Sequence, residues 1–349
     1  MIDTMTIYYR ITKSEFNNLY TNLNELSIES SGRKLHIDRK DKDALVTYSF
    51  AKLGFQIIKL RYVKEYNYRA IEITLKPKLL VDEGNAFDVT DLDEMEEVRR
   101  EFKRFVDLLS LPDLLQWTVK RIDYAIDLEI NQDLIPIYMF VFKQSNIPIY
   151  MLKDPITQMY LESPTNFYLY SKNLTVNFYN RYSTLKEKFE KGEIHKINLD
   201  AVKNKLRLEV QHKNCSGELC EYLSVERCKK SICYFYDSII GNGHYYNFEK
   251  SLELITKSTR SIKRSIELKE FIKYIHQTGS VWLARESFAK SKKFDNELKA
   301  RKIFSRNLNL LRELNINPVT LTNSSGISML ENLCERINKK FKLDERNVN

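Results

Sequence analysis

Residues 117–130 read WTVKRIDYAIDLEI. With a period of two, Ile122, Tyr124, Ile126 and Leu128 fall on one side of a strand, and Arg121, Asp123, Ala125, Asp127 and Glu129 fall on the other. The first side is apolar enough to face a core. The second carries three carboxylates along a single strand. A strand tolerates such a face if water solvates it or if it holds a metal ion.

Other stretches share the design. Residues 6–11, 45–50, 55–63 and 68–75 are rich in β-branched and aromatic side chains with polar breaks between them. In the last, Ile71, Ile73 and Leu75 alternate with Ala70, Glu72 and Thr74, and Lys76-Pro77 ends the run. Residues 166–181 predict a hairpin turning at Ser171-Lys172-Asn173. Its strands set Phe167 and Leu169 against Tyr168 and Tyr170, then Leu174, Val176 and Phe178 against Thr175, Asn177, Tyr179 and Arg181. In residues 206–212, Leu206, Leu208 and Val210 oppose Arg207, Glu209 and Gln211. The period becomes helical over 89–111, where Val98, Phe102, Phe105 and Val106 follow acidic residues suited to a helix N-terminus, and again over 133–143. Residues 183–204 are charged and read as helix or loop. Beyond residue 217 the predicted helices are 218–230, 248–257, 268–277, 281–289 and 296–314.

The expected fold class is therefore α+β, an antiparallel sheet with helices on one face and an open polar face, followed by a mainly helical C-terminal domain. The expected division is residues 1–215 and 216–349, a size suited to two cores in a chain of 349 residues.

The net charge of +9 is unevenly placed. Residues 1–200 hold 28 Lys+Arg against 30 Asp+Glu, and residues 201–349 hold 28 against 17. The basic half suits a polyanion, most often nucleic acid, and its short helices suit a helix-turn-helix or related module. The competing explanation is a set of solvated Lys-rich helices. No apolar run reaches the length of a membrane span, and the N-terminus reads as a strand rather than a signal peptide, so the expected location is cytoplasmic. Five cysteines fit a reducing compartment. Cys215, Cys220, Cys228 and Cys233, with His212 and His244 nearby, lack the close pairs of a structural zinc site and are expected to behave as small apolar residues.

Three motifs in order resemble the rolling-circle replication initiators of phages and plasmids, including the filamentous-phage gene-two/gene-ten type and the related plasmid Rep group. They are Arg121-Ile122-Asp123-Tyr124-Ala125-Ile126-Asp127, Asn177-Phe178-Tyr179-Asn180-Arg181 and Leu206-Arg207-Leu208-Glu209-Val210-Gln211. These are similar to the family's R-I-D-x-A-x-D, x-x-Y-N/D-K and L-R-x-E-x-x segments. The later YFYDSIIGNGHYY and ELNINPVTL also resemble that group, so the likeness spans residues 115–325. It implies an enzyme of a bacterial host's cytoplasm, a site-specific single-strand DNA endonuclease and strand transferase. Its tyrosine attacks a phosphodiester at a replication origin and leaves a 3′ hydroxyl to prime synthesis.

The resemblance implies Mg²⁺ or Mn²⁺ held by Asp123 and Glu209, with Asp127 as a third or supporting carboxylate. Arg181, where the family has Lys, is the expected phosphate-binding cation; Arg keeps the charge but is not a neutral exchange. Tyr168 is the leading nucleophile among 21 tyrosines, with Tyr179 and Tyr170 on the same face behind it. The implied partners are double-stranded origin DNA and the nicked single strand. Host helicase and polymerase and a second copy of the chain are further expected partners. The rival expectation is an initiator or transcriptional regulator that binds the origin without cutting, its acidic face simply solvated.

Overall fold

Nine stretches pair into one sheet in the computed structural model, which describes residues 1–85, 87–192, 198–290, 296–322 and 326–347. The strands are β1 (Ile2–Arg10), β2 (His36–Ile37), β3 (Ala44–Thr47), β4 (Phe55–Val63), β5 (Tyr68–Leu75), β6 (Thr118–Glu129), β7 (Asn166–Tyr170), β8 (Leu174–Asn180) and β9 (Lys205–Lys213). Their order is β2-β3-β4-β5-β1-β6-β9-β8-β7, with antiparallel neighbours throughout. Strand β6, which holds most of residues 117–130, is thus a central strand, flanked by β1 and β9. With about 50% helix and 23% strand, the fold class is α+β.

The apolar side of β6 behaves as its alternation dictates. Ile122, Tyr124, Ile126 and Leu128 are buried beneath helices. Helix α1 (Lys13–Ser31) lies between β1 and β2, α2 (Pro77–Val81) follows β5, and α3 (Met95–Asp107) and α4 (Ile135–Lys143) flank β6. Phe102 of α3 meets Trp117 edge-on at 5.6 Å, and Phe142 of α4 meets Phe178 at 5.8 Å. Each such ring, withdrawn from water, contributes about 1.5–3 kcal/mol. Helix α1 is absent from the alternation reading, which sees only strands here. It is launched by a capping box: Thr12 Oγ1 accepts from the Glu15 amide, and the Glu15 carboxylate accepts from the Thr12 amide.

Short helices α5 (Ile149–Leu152) and α6 (Pro155–Leu161) precede β7, and α7 (Arg181–Glu190) leaves β8 directly. Helix α8 (Val225–Ile239) begins later than the expected 218–230 because Ser224 caps it, its side chain accepting from the Arg227 amide. It also runs further, since Ile232, Tyr236 and Ile239 are buried. Tyr236 packs edge-on against Phe142 at 6.0 Å, so the core of the sheet continues across residue 215. Strand β10 (Tyr245–Tyr246), helices α9 (Phe248–Ser258), α10 (Ile262–Thr278), α11 (Val281–Ala289) and α12 (Glu297–Glu313), strand β11 (Met329–Leu330) and helix α13 (Cys334–Asn347) complete the chain. Among the described residues, no helix is long and apolar enough to cross a membrane.

Candidate metal centre

At its centre, around Asp123 and Ala125, the polar side of β6 is buried rather than solvated. Asp123 is 1% exposed, and Glu209, on the neighbouring strand, is 5% exposed. The β6–β9 register sets Asp123 opposite Gln211 and Ala125 opposite Glu209, placing the two carboxylates one step apart on the same face. A third arrives from β1. There Ile2 pairs with Tyr124 and Thr4 with Asp123, so two steps along β1 match one along β6. This bulge turns Asp3 onto the polar face, although the buried Met5 and Ile7 would assign odd positions to the core. Carboxylate oxygens of Asp3, Asp123 and Glu209 all lie within 4.8 Å of one another. Among the described residues this is the one group of three His, Cys, Asp or Glu side chains able to hold a metal ion.

The neighbours divide the triad electrostatically. Burial pushes the Asp123 carboxyl up to about 6, although Arg121 grips both of its oxygens, Nε to Oδ1 at 2.8 Å and Nη2 to Oδ2 at 2.6 Å. Among the described residues, the hydrogen-bond donors to Glu209 are neutral: Gln211 Nε2 at 2.6 Å from Oε1 and the Tyr179 hydroxyl at 3.3 Å from Oε2. Burial, then the charges of Asp3 and Asp123, raise it to about 7. Burial also works to raise Asp3, but Lys76 at 3.7 Å and Arg207 at 2.8 Å outweigh it and hold its carboxyl below the usual range. Three clustered carboxylates, two of them raised chiefly by burial, form an oxygen-only donor set. Hard divalent cations prefer such a set, and zinc does not. The triad can hold a metal ion.

Asp127 stands apart from this group. It lies four residues beyond Asp123, about 13 Å along a strand, which is too far to share one ion. Its partner is Arg207, fully buried, whose Nε and Nη2 each donate to an Asp127 oxygen at 2.7 Å. Asp127 is also held below the usual range: burial opposes ionisation and Arg207 overcomes it. Of the two expectations for Asp127, third ligand or supporting carboxylate, the geometry fits the second: Asp3 joins the cluster, and Arg207 links Asp127 to it by also donating to Asp3.

The remaining expected residues share the face in different ways. Arg181 is 4% exposed, is the first residue of α7, which Asn180 caps, and donates to the backbone carbonyl of Phe87, while its Nε has no partner among the described residues. Tyr179 lies beside the triad, its phenol raised well above its usual range first by burial. Tyr168 is half-buried and belongs to the cross-strand row Tyr168–Asn177–Glu209–Ala125. Its ring meets that of Tyr160 at 4.6 Å. Tyr170 carries Lys213 over its ring at 4.1 Å. Glu72, on the same face of β5, is paired with Lys120 at 2.5 Å. None of the five cysteines is in a disulfide, Cys228 is buried, and among the described residues none joins a group with metal-holding geometry.

The readable sign of Asp3 is the spacing of apolar residues in Ile2-Asp3-Thr4-Met5. Two buried side chains stand three apart where a regular strand sets them two apart. Comparison with family models, with curated proteins and with solved structures finds no match for this chain.

Proposed function

We propose that this protein is a replication initiator of a phage or plasmid, a metal-dependent endonuclease and strand transferase that nicks one strand at an origin. The observation that carries the reading is the buried Asp3–Asp123–Glu209 triad, set on a sheet face that also presents Tyr168 and Tyr179. Mg²⁺ or Mn²⁺ bound there would neutralise charge on the scissile phosphate. Tyr168 supplies the nucleophile, because its half-exposed position lets a strand approach, whereas Tyr179 is 9% exposed at the floor. Its hydroxyl releases its proton to solvent as the oxygen bonds to phosphorus, the bond from phosphorus to the 3′ oxygen breaks, and the 3′ oxygen takes up a proton and leaves as a hydroxyl. Tyr179 and Gln211 orient Glu209. Arg121 can stay on Asp123 beside an ion, since each carboxylate oxygen has two lone pairs. The protein would work in a bacterial cytoplasm with origin DNA, the nicked strand and host helicase and polymerase, alone or as a homodimer.

The bidentate Arg121 pairing, which satisfies Asp123 without any ion, favours one rival: an initiator or regulator that binds DNA without cutting it. Supercoiled plasmid carrying the element's own origin, incubated with the protein and Mn²⁺, separates the two. Nicked circles and a protein–DNA adduct are expected, lost in Asp123→Ala and Glu209→Ala. Tyr168→Phe should lose the adduct while Tyr179→Phe keeps it. If the parent forms no adduct, or the carboxylate variants nick like the parent, the protein is not this enzyme.

A further inference from the structure

Helices α10, α11 and α12 pack around three rings. Phe271 meets Phe304 at 4.9 Å and Phe288 at 6.3 Å, and Phe288 meets Phe304 at 5.5 Å. Helix α12 buries Ala300, Phe304, Asn307 and Leu311, the spacing of one helical face. Its opposite face is exposed and presents Arg301, Lys302, Ser305, Arg306 and Asn309, with no acidic residue between Glu297 and Glu313 at its ends. These side chains line an open groove of about 600 Å³. Residues 248–313 as a whole hold 16 Lys+Arg against 8 Asp+Glu, so this helical unit carries most of the basic excess of the C-terminal half.

We propose that α12 is the helix that enters the major groove of duplex DNA, with Arg301, Lys302 and Arg306 engaging phosphates or guanine edges and Asn309 reading a base. Several observations choose duplex DNA over an acidic protein partner. The stripe holds the side chains that pair with base edges, Arg with guanine and Asn with adenine, and they recur at a spacing that keeps them on one helical face. A helix of 17 residues is about 25 Å long, enough to lie along the groove. Exposed Lys263 and Arg264 on α10 extend the same charge. Arg306 is paired with Glu267 in the free protein, an exposed contact that is weak enough to exchange for a phosphate.

The proposal rests on DNA being the partner, and not on the chemistry of the triad. Its test uses the full chain and a fluorescent duplex of mixed sequence about two helical turns long, titrated at several salt concentrations. The triple variant Arg301→Ala/Lys302→Ala/Arg306→Ala should bind at least about tenfold more weakly, and the slope of log K against log salt should flatten by about 2–3. Asn309→Ala should leave that slope unchanged and alter the sequence selected from a randomised duplex pool. Melting temperature checks that each variant is folded. Unchanged affinity and slope in the folded triple variant overturns the proposal, as does parent protein that prefers an acidic polypeptide to duplex. Cleavage of a single-stranded origin oligonucleotide, measured in parallel, reports on the triad alone. Its absence in a parent protein that still binds duplex through α12 would refute nicking and leave this proposal standing.

Discussion

Arg207 and Asp127 meet as a two-pronged ion pair, Nε and Nη2 each 2.7 Å from a carboxylate oxygen, with the guanidinium fully buried. The remaining donor, Nη1, reaches Asp3 Oδ1 at 2.8 Å. Removing one partner from such a pair strands the other charge in the interior, which costs about 3–5 kcal/mol. Asp127→Ala is therefore expected to lower the denaturant midpoint strongly while leaving measurable affinity for a divalent cation. If cation binding vanishes in a folded Asp127→Ala protein, Asp127 is a ligand after all.

Stability should depend on pH in a direction set by the triad. Burial holds the folded Asp123 and Glu209 carboxyls up at about 6 and about 7, above the ordinary carboxylate range. Between about pH 4 and 7 these two carboxyls therefore bind more protons in the folded chain than in the unfolded one, and the stability they contribute falls as pH rises through that window. A displaced pKa unit corresponds to about 1.4 kcal/mol, so the two coupled carboxyls contribute on the order of a few kcal/mol. Asp3 and Asp127 are shifted down, so the stability they add is lost only as pH drops below the ordinary carboxylate range. With a chelator present, melting temperature is expected to fall between pH 5 and 7.5. Mn²⁺ should restore it at the upper end and do little at the lower, because it binds ionised carboxylates. The lowered Met1 amine and His212 act in the opposite sense, so the check is the variant: a profile in chelator left unchanged by Asp123→Asn/Glu209→Gln would mean that neither carboxyl is raised.

Asp3→Asn tests the ligand that alternation conceals. Even the residues that merely support metal ligands are worth about 10–100-fold in affinity, so loss of a ligand charge should cost at least that. Titration with Mn²⁺ by calorimetry or Tb³⁺ luminescence reads it directly. Affinity equal to that of the parent would remove Asp3 from the site.

Strand-level chemistry was legible where the chain alternates regularly. Asp123 and Glu209 share a face because the β6–β9 pairing is unbroken, and the same regularity exposed Ile71, Ile73 and Leu75 as the core positions of β5. Period two carries no information about register, however. It put Asp127 on the correct face without revealing that Arg207 would lie directly opposite, where cross-strand charges pair. Asp3 was hidden by a bulge that shifts the alternation by one, and α1 by an apolar face reduced to Leu19 and Leu23. In both cases a local signal existed: the three-residue apolar spacing at Ile2 and Met5, and the Thr12–Glu15 capping pair.

Gly243 joins the helical C-terminal part to the sheet core, and its replacement should report on that junction. Its φ is +92°, a conformation costly for any residue with a side chain, and an added Cβ would sit 2.5 Å from the Ile316 carbonyl carbon and 2.7 Å from the Asn317 nitrogen. Both contacts are backbone, held by the exchange in which His244 and Asn317 amides donate to the carbonyls of Asn315 and His244. Asn317 and Asn332 side chains fasten the same turn by donating to the carbonyls of Ile240, Gly241 and Gly243. The clash has no flexible side chain to absorb it, so Gly243→Ala is expected to destabilise by about 2–4 kcal/mol, the range of a strained backbone plus overpacking. Tyr236 hydrogen-bonds to Asn332 at 3.3 Å while packing on the sheet, so the loss should appear as one cooperative shift of the whole unfolding transition. Two separated transitions in the variant would instead mean that the helical unit unfolds on its own.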